Sequence, residues 1–507
     1  MDVPSNSYDL VVLGDDLASL VCATLCARRG MRTLVLGDDR PARYTLGPHK
    51  LPIEPATWPT IPGTAGERVL KELHAELALR RKIREPRGKI GGQIVAPDFR
   101  IDLGHDRLAG ELERELGKDP ARACVAQWEQ STELARSIDA LLGSEHAFPG
   151  VGFFEKRETT KIAEHAADAA DAWWQAAKAA PGSALWRHVA AIALRHPDPP
   201  AIAIARAIDV WRGGPASLRG DGDAIRELLV EKLTTAGGEH RAGRVTELGV
   251  SWGKISSVTL ANGDELGAAQ VVSSRTPHEL AELLGKKAPK RLAELAELVS
   301  LVGYRYTLNI VLDEAGLPEH MAPSVAVVLD PGKDPVGDAA FSIHLGDTDD
   351  NGRVIATIAA VLPADAPIEP ERIAPKLMAL RAGLWQRLGE VMPFFERHLI
   401  LAHSPFEATP PHVPGGRGSY DVPRTLPLAM TRVWKGQRSP LTESTAELAA
   451  LPYQTGLKNL TLTGDQILPV LGIEGSLAAG WSAAKVACAI AGKKKDYLRD
   501  EVVGAAS

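Results

Sequence analysis

Residues 8 to 36, YDLVVLGDDLASLVCATLCARRGMRTLVL, leave the chain little freedom. An apolar run ends at Gly14, a polar turn follows, and a mostly apolar stretch of helix formers leads to a second apolar run, Thr33 to Leu36. That order predicts strand, tight turn, helix and parallel strand, the opening unit of a Rossmann-like α/β sheet. Such a unit holds a dinucleotide with glycines at G-x-G-x-x-G. The first makes the corner, the second lets the backbone approach the pyrophosphate, and the third lets helix and strand pack closely. Here those positions hold Gly14, Asp16 and Ser19, with Asp15 before Asp16 and Leu17 and Ala18 after it.

Two carboxylates therefore stand where phosphates would dock. Like charges about 4 Å apart repel by roughly 1 kcal/mol in water and by several times that in a drier site. A helix N-terminus favours anions, and the chain's own carboxylates can occupy that field. The acid that usually ends the second strand and holds the ribose is also displaced: Gly37 stands there, and Asp38 and Asp39 follow. Asp38 is the candidate ribose ligand if the loop shifts by one residue.

At 507 residues the chain exceeds one ordinary core, so more than one domain is expected. A net charge of -6 with 24% charged residues shows no nucleic-acid footprint. Cys22, Cys26, Cys124 and Cys488 have neither metal-ligand spacing nor a disulfide pattern, and they read as small buried thiols in a reducing, cytoplasmic protein. No metal site is expected. The N-terminus carries no basic-then-apolar signal, and no apolar run reaches spanning length.

Five prolines between Pro48 and Pro62 predict a long connection. Residues 88 to 104 alternate like a hairpin, and Leu108, Leu112 and Leu116 mark a helix. Residues 120 to 214 read as a helical block whose tryptophans, including Trp128, Trp173, Trp174, Trp186 and Trp211, belong to its core. From 300 to 430, runs such as YRYTLNIVL, SVAVVLD, AFSIHL and RVIATIAAVL between turn residues predict an antiparallel sheet, interrupted by a helix over 370 to 391. His344, His403, His412, Arg417 and Tyr420 lie in this region and read as structural or surface groups.

Two later segments carry a resemblance. Residues 219 to 274 run Gly-rich turn, helix, strand, hairpin and strand, with GRVTEL inside. Residues 451 to 492 contain LTLTGDQILPVLGIEGSLAAGW, a strand ending in Gly-Asp and then a Gly-rich turn opening a helix. With the opening unit, they resemble the phytoene desaturase and carotenoid or retinoid oxidoreductase branch of the FAD-dependent, amine-oxidase-like flavoproteins. The resemblance runs nearly the whole chain in order and departs at the opening turn.

It implies a discontinuous, glutathione-reductase-type FAD-binding domain from residues 1–60, 215–285 and 450–507. An α+β substrate domain would come from 61–214 and 286–449, with 120–214 as its helical subdomain. It implies non-covalent FAD, with Val245 reading the adenine through its backbone and Gly464, Asp465, Gly472, Ile473, Glu474 and Gly475 at the flavin. Asp465 would accept from ribityl hydroxyls, and the helix after Gly472 would stabilise a reduced, anionic ring. The implied activity is hydride transfer on a lipophilic, isoprenoid- or polyene-like substrate, with peripheral membrane contact. No Ser/His/Asp, metal-spaced or paired-carboxylate constellation offers other catalytic side chains. The altered turn leaves a second reading open. A non-catalytic relative that has lost FAD would bind a lipid or lipid-modified partner, as Rab GDP-dissociation inhibitors illustrate.

Overall fold

The opening run forms the expected strand (Ser7–Leu13), helix (Leu17–Arg28) and strand (Thr33–Gly37) of a computed structural model. It describes residues 6–37, 41–55, 57–58, 64–84, 90–104, 107–178, 183–219, 221–364, 370–416, 420–421 and 423–492. Strand Ser7–Leu13 lies between Thr33–Gly37 and Glu265–Ser273 and is parallel to both. Leu10 to Leu13 are fully buried, as the interior of a parallel sheet covered on both faces requires. Glu239–Ala242 extends this sheet beside Thr33–Gly37, Leu460–Leu462 pairs with Glu265–Ser273, and an antiparallel meander from Val245 to Leu260 forms the far edge.

The opening helix packs on this sheet beside the closing helix, Gly472–Ile490. Their approach depends on Gly480, where a Cβ would collide with the carbonyl oxygen of Ala18. The helical block expected between 120 and 214 consists of Lys118–Leu142, Phe153–Ala177, Ser183–Leu194 and Ala201–Trp211. Trp128, Trp173, Trp186 and Trp211 are buried in the core these helices share with the first sheet, and Trp174 packs against it. All four cysteines are buried, and none is in a disulfide.

The second sheet is built on Val299–Asp313, a 15-residue strand that pairs antiparallel with Arg353–Pro363, Leu399–His403 and Arg432–Gly436. The predicted runs become the strands Ser324–Val328 and Ala340–Leu345, and the hairpin Gly92–Val95/Arg100–Leu103 joins alongside. Helix Pro370–Val391 falls where the sequence placed it, and Leu377, Leu380, Leu384 and Leu388 bury one face in this sheet's core.

The proline-rich connection is only partly irregular. Its start belongs to a small hairpin, Arg43–Leu46 with His49–Pro52, turned at Gly47 with φ 57°. Pro52 is the last residue of its strand, where a missing N–H is tolerated.

Candidate functional site

The turn after the opening strand is made by Gly14 at φ 112°, where any Cβ would collide with the Ser274 hydroxyl. Asp16 then caps the opening helix: its carboxylate accepts from the Ser19 amide at 3.0 Å and from the Ser19 hydroxyl at 3.1 Å. Ser19, the third fingerprint position, thus serves the cap. Burial first, and then the charge of Asp465, raise the pKa of Asp16. Leu17 and Ala18 form the first turn behind it.

Asp15 points the other way, its buried carboxylate meeting the half-buried side chains of Arg226 and, at 3.3 Å, His240. Burial pushes its pKa up, but the His240 hydrogen bond and the Arg226 charge outweigh burial and hold it below the usual carboxylate value. Its carboxylate lies against Gly37, where a Cβ would collide with it. The added acid of the turn and the missing acid of the strand end are therefore one feature, since the two compete for the same space.

Asp38 lies outside the described residues. Val245 is buried as the first residue of its strand, paired with Leu260, and lines neither of the cavities below.

The closing motif converges on the same cleft from the opposite side. Gly464, at φ 92°, has no room for a side chain against Ser274. Asp465 accepts from the Ser476 hydroxyl at 2.8 Å and faces the Arg305 guanidinium at 3.6 Å. Gly472, at φ 55°, opens the 19-residue closing helix, and Gly475 packs so closely on the Leu468 carbonyl that a Cβ would collide. Ile473 and Glu474 line the cavity, but Glu474 is engaged: Arg206, 2% exposed, binds it at 2.6 and 2.9 Å and also reaches Asp139 at 2.7 Å.

Two adjoining cavities result. The first, about 320 Å³, runs from Asp16 and Asp465 past Gly472 and Ile473 to Leu194, Val210, Trp211, Val433, Trp434 and Leu468. The second, about 240 Å³, lies at Gly14, Asp15 and Asp16, and Arg226, Arg275, Arg305 and Arg432 face four acids there: Asp15, Asp16, Glu279 and Asp465. Asp16, Arg305, Arg432, Trp434 and Asp465 belong to both.

Sequence reasoning missed a charged cluster that lines the first cavity. Glu54 accepts from Arg305 at 2.9 Å and from Arg195 at 3.0 Å. Burial opposes its ionisation, yet these two guanidiniums hold its pKa down. The three residues come from distant segments, so no spacing signals them.

A flavin dinucleotide fits the two halves of this cleft unequally. Gly464, Asp465 and the Gly472 helix terminus leave the approach a ribityl chain and ring need, beside an apolar wall. At the diphosphate end the Ser19 amide is already bonded to Asp16. A diphosphate would there have to displace Asp16 from the cap, with Arg275, Arg305 and Arg432 of the second cavity as the nearby positive charges.

No protein-family model matches the sequence, and no curated protein matches it. Its fold, however, is shared. An oxidoreductase from Methanosarcina mazei superposes with a TM-score of 0.59 at 12% identity, covering 94% of this chain and 99% of that one. A putrescine oxidase redesigned in its cofactor binding superposes at 0.56, with 12% identity over 96% and 99% of the two chains. The PF1083 protein of Pyrococcus furiosus superposes at 0.54, with 14% identity over 96% and 100%. The chain thus shares over nearly its whole length the fold of these solved structures, an oxidoreductase and a putrescine oxidase among them.

Proposed function

We propose that the chain is an FAD-dependent oxidoreductase, similar to phytoene desaturases, that acts by hydride transfer on a lipophilic, polyene- or isoprenoid-like substrate. The observation that carries the reading is the closing motif, with Asp465, Gly472 and Ile473 gathered on one wall of the 320 Å³ cavity. When bound, FAD supplies the hydride acceptor or donor. Asp465 would hold the ribityl hydroxyls, and the amides after Gly472 would face the ring. Leu194, Val210, Trp211 and Leu468 would exclude water from the substrate's apolar body. Glu54, Arg195 and Arg305 offer a polar end of that substrate its partners.

The test is the visible absorption spectrum of the purified protein before and after incubation with FAD, with a parallel melting curve. The reading expects flavin bands that remain after desalting, together with a raised melting temperature. Asp16→Gly should bind FAD more tightly by about tenfold, because it frees the Ser19 amide and removes one like charge.

One observation favours a second reading, a binding protein that has lost the cofactor and takes a lipid or lipid-modified partner: Asp16 occupies the helix terminus and Asp15 is locked by Arg226 and His240. If the protein and its Asp16→Gly variant both stay colourless with FAD, the second reading replaces the first.

A further inference from the structure

The small hairpin, Arg43–Leu46 with His49–Pro52, has two unlike faces. Arg43 pairs with Pro52 and Thr45 with Lys50, so these four side chains share one face, while Tyr44, Leu46, His49 and Leu51 on the other are buried. Arg43, Lys50 and Pro52 line a cavity of about 230 Å³. None of its lining residues lines either cavity of the cleft, so it is a separate site.

The second sheet contributes Thr357 and His344 to this cavity. Thr357 pairs with Asn309 on one side and with His344 on the other, and its hydroxyl donates to the Asn309 side-chain oxygen at 2.9 Å. The Asn309 amide in turn donates to the Pro52 carbonyl at 2.8 Å, which ties the hairpin to the sheet. His344 adds no charge. Its ring nitrogens meet the Ser324 hydroxyl at 3.3 Å and the Ser342 hydroxyl at 2.9 Å, and burial lowers its pKa to about 3.

A third cation comes from a distant segment. The Arg84 backbone amide donates to the Ser217 carbonyl at 2.9 Å, and its guanidinium donates to the Leu345 carbonyl at 2.8 Å and meets Asp347 at 3.0 Å. Around the cavity Arg43, Lys50 and Arg84 thus stand against one carboxylate, that of Asp347, for a net charge of +2.

Ser217 supplies an independent sign of a ligand. It lines the cavity and is 6% exposed, and its buried hydroxyl has no hydrogen-bond partner among the described residues. An unpartnered buried hydroxyl is costly, so a fold that keeps one at the wall of a basic cavity holds it ready for an acceptor from outside the chain.

We propose that this cavity binds a phosphate dianion, free or as the head of a small ester, with its oxygens accepting from Ser217, Arg43 and Lys50. Two negative charges match the net charge of the lining. The proposal is independent of whether the cleft holds a flavin.

The experiment is a calorimetric titration of the full-length protein with inorganic phosphate and with glycerol phosphate, alongside melting curves in either anion and in sodium chloride of equal ionic strength. Saturable binding is expected, with a rise in melting temperature that chloride does not reproduce. Tighter binding of glycerol phosphate would identify an ester as the ligand, and equal or weaker binding would identify free phosphate. Ser217→Ala should weaken binding about tenfold, yet melt no lower without phosphate, since its hydroxyl has no partner to lose. Lys50→Glu, at an exposed position, cancels the net charge and should weaken binding at least about tenfold.

Absence of saturable binding overturns the proposal, as does binding that both variants leave unchanged. Binding that is lost in Arg275→Gln but kept in Lys50→Glu also overturns it, because the anion would then sit in the cleft.

Discussion

Asp15 and Gly37 look like two separate losses in the sequence, yet the atoms make them one exchange. An acid at position 37 and the Asp15 carboxylate in its present seat exclude each other. Gly37→Ala should therefore cost about 1–3 kcal/mol by overpacking, and the cost should shrink when Asp15→Gly is added. Denaturant melts of the two single variants and the double variant measure this coupling; strictly additive losses would contradict it. Asp16 presents the opposite balance. Its oxygen caps a helix, which is worth about 1 kcal/mol, but its ionised form is disfavoured by burial and by Asp465. Its folded pKa lies above the unfolded one, so ionisation at neutral pH costs stability that is regained only as pH falls through the carboxylate range. Asp16→Asn keeps the capping oxygen without the charge, and it should melt at or above the temperature of the unmodified protein at pH 7. A loss larger than about 1 kcal/mol would mean that the charge itself is held favourably.

At the scale of elements, the opening and closing helices meet through Gly480, which lies against the Ala18 carbonyl and the Val21 side chain of the opening helix. Gly480→Ala should destabilise by about 1–3 kcal/mol, and an equilibrium unfolding curve equal to that of the unmodified protein would show that the helices can part at no cost. Elements of this kind were legible in the sequence because each carries its own periodicity. Helix Pro370–Val391 and the runs around Ile310, Val327, Ile343 and Ile358 could be read directly. The hairpin inside the proline-rich connection was not, because the prolines signal a connection there, although Pro52 only ends a strand. The site was legible where residues neighbour one another in sequence, at Gly14 to Ser19 and Gly464 to Gly475. It was illegible where Glu54, Arg195, Arg305 and Asp465 meet, since only the tertiary fold joins them. The direction of the Asp15 side chain was equally hidden, because Arg226 and His240 that turn it lie more than two hundred residues away.

For the whole molecule, three deeply buried histidines contribute most to the response to acid, and His49 and His74, whose pKa values burial also lowers, add in the same direction. His196 and His344 are buried, and so is His403, on strand Leu399–His403 beside the Tyr44 hydroxyl at 3.2 Å. Burial lowers the pKa of His196 to about 4, of His344 to about 3 and of His403 to about 4. Each is neutral in the folded protein and protonated in the unfolded chain between its folded value and the ordinary 6.5. The unfolded state binds more protons across that window, so stability rises with pH there and is lost as pH falls from 6.5 toward 4. The slope is at most about 1.4 kcal/mol per pH unit for each histidine, enough for the three together to consume the margin of an ordinary domain within two to three units. Lys485, which burial lowers to about 7, works in another range: the unfolded chain holds its proton from there up to the ordinary lysine value, so stability also climbs above pH 7. Melting temperatures measured at half-unit steps should therefore fall steeply below pH 6.5, and His344→Gln should flatten that fall by about a third, its share of three comparable groups. A melting temperature that stays level from pH 6.5 to 4.5 would show that these imidazoles reach water or a counter-charge in the folded chain, and the packing of the second sheet around them would have to be looser than its buried strands indicate.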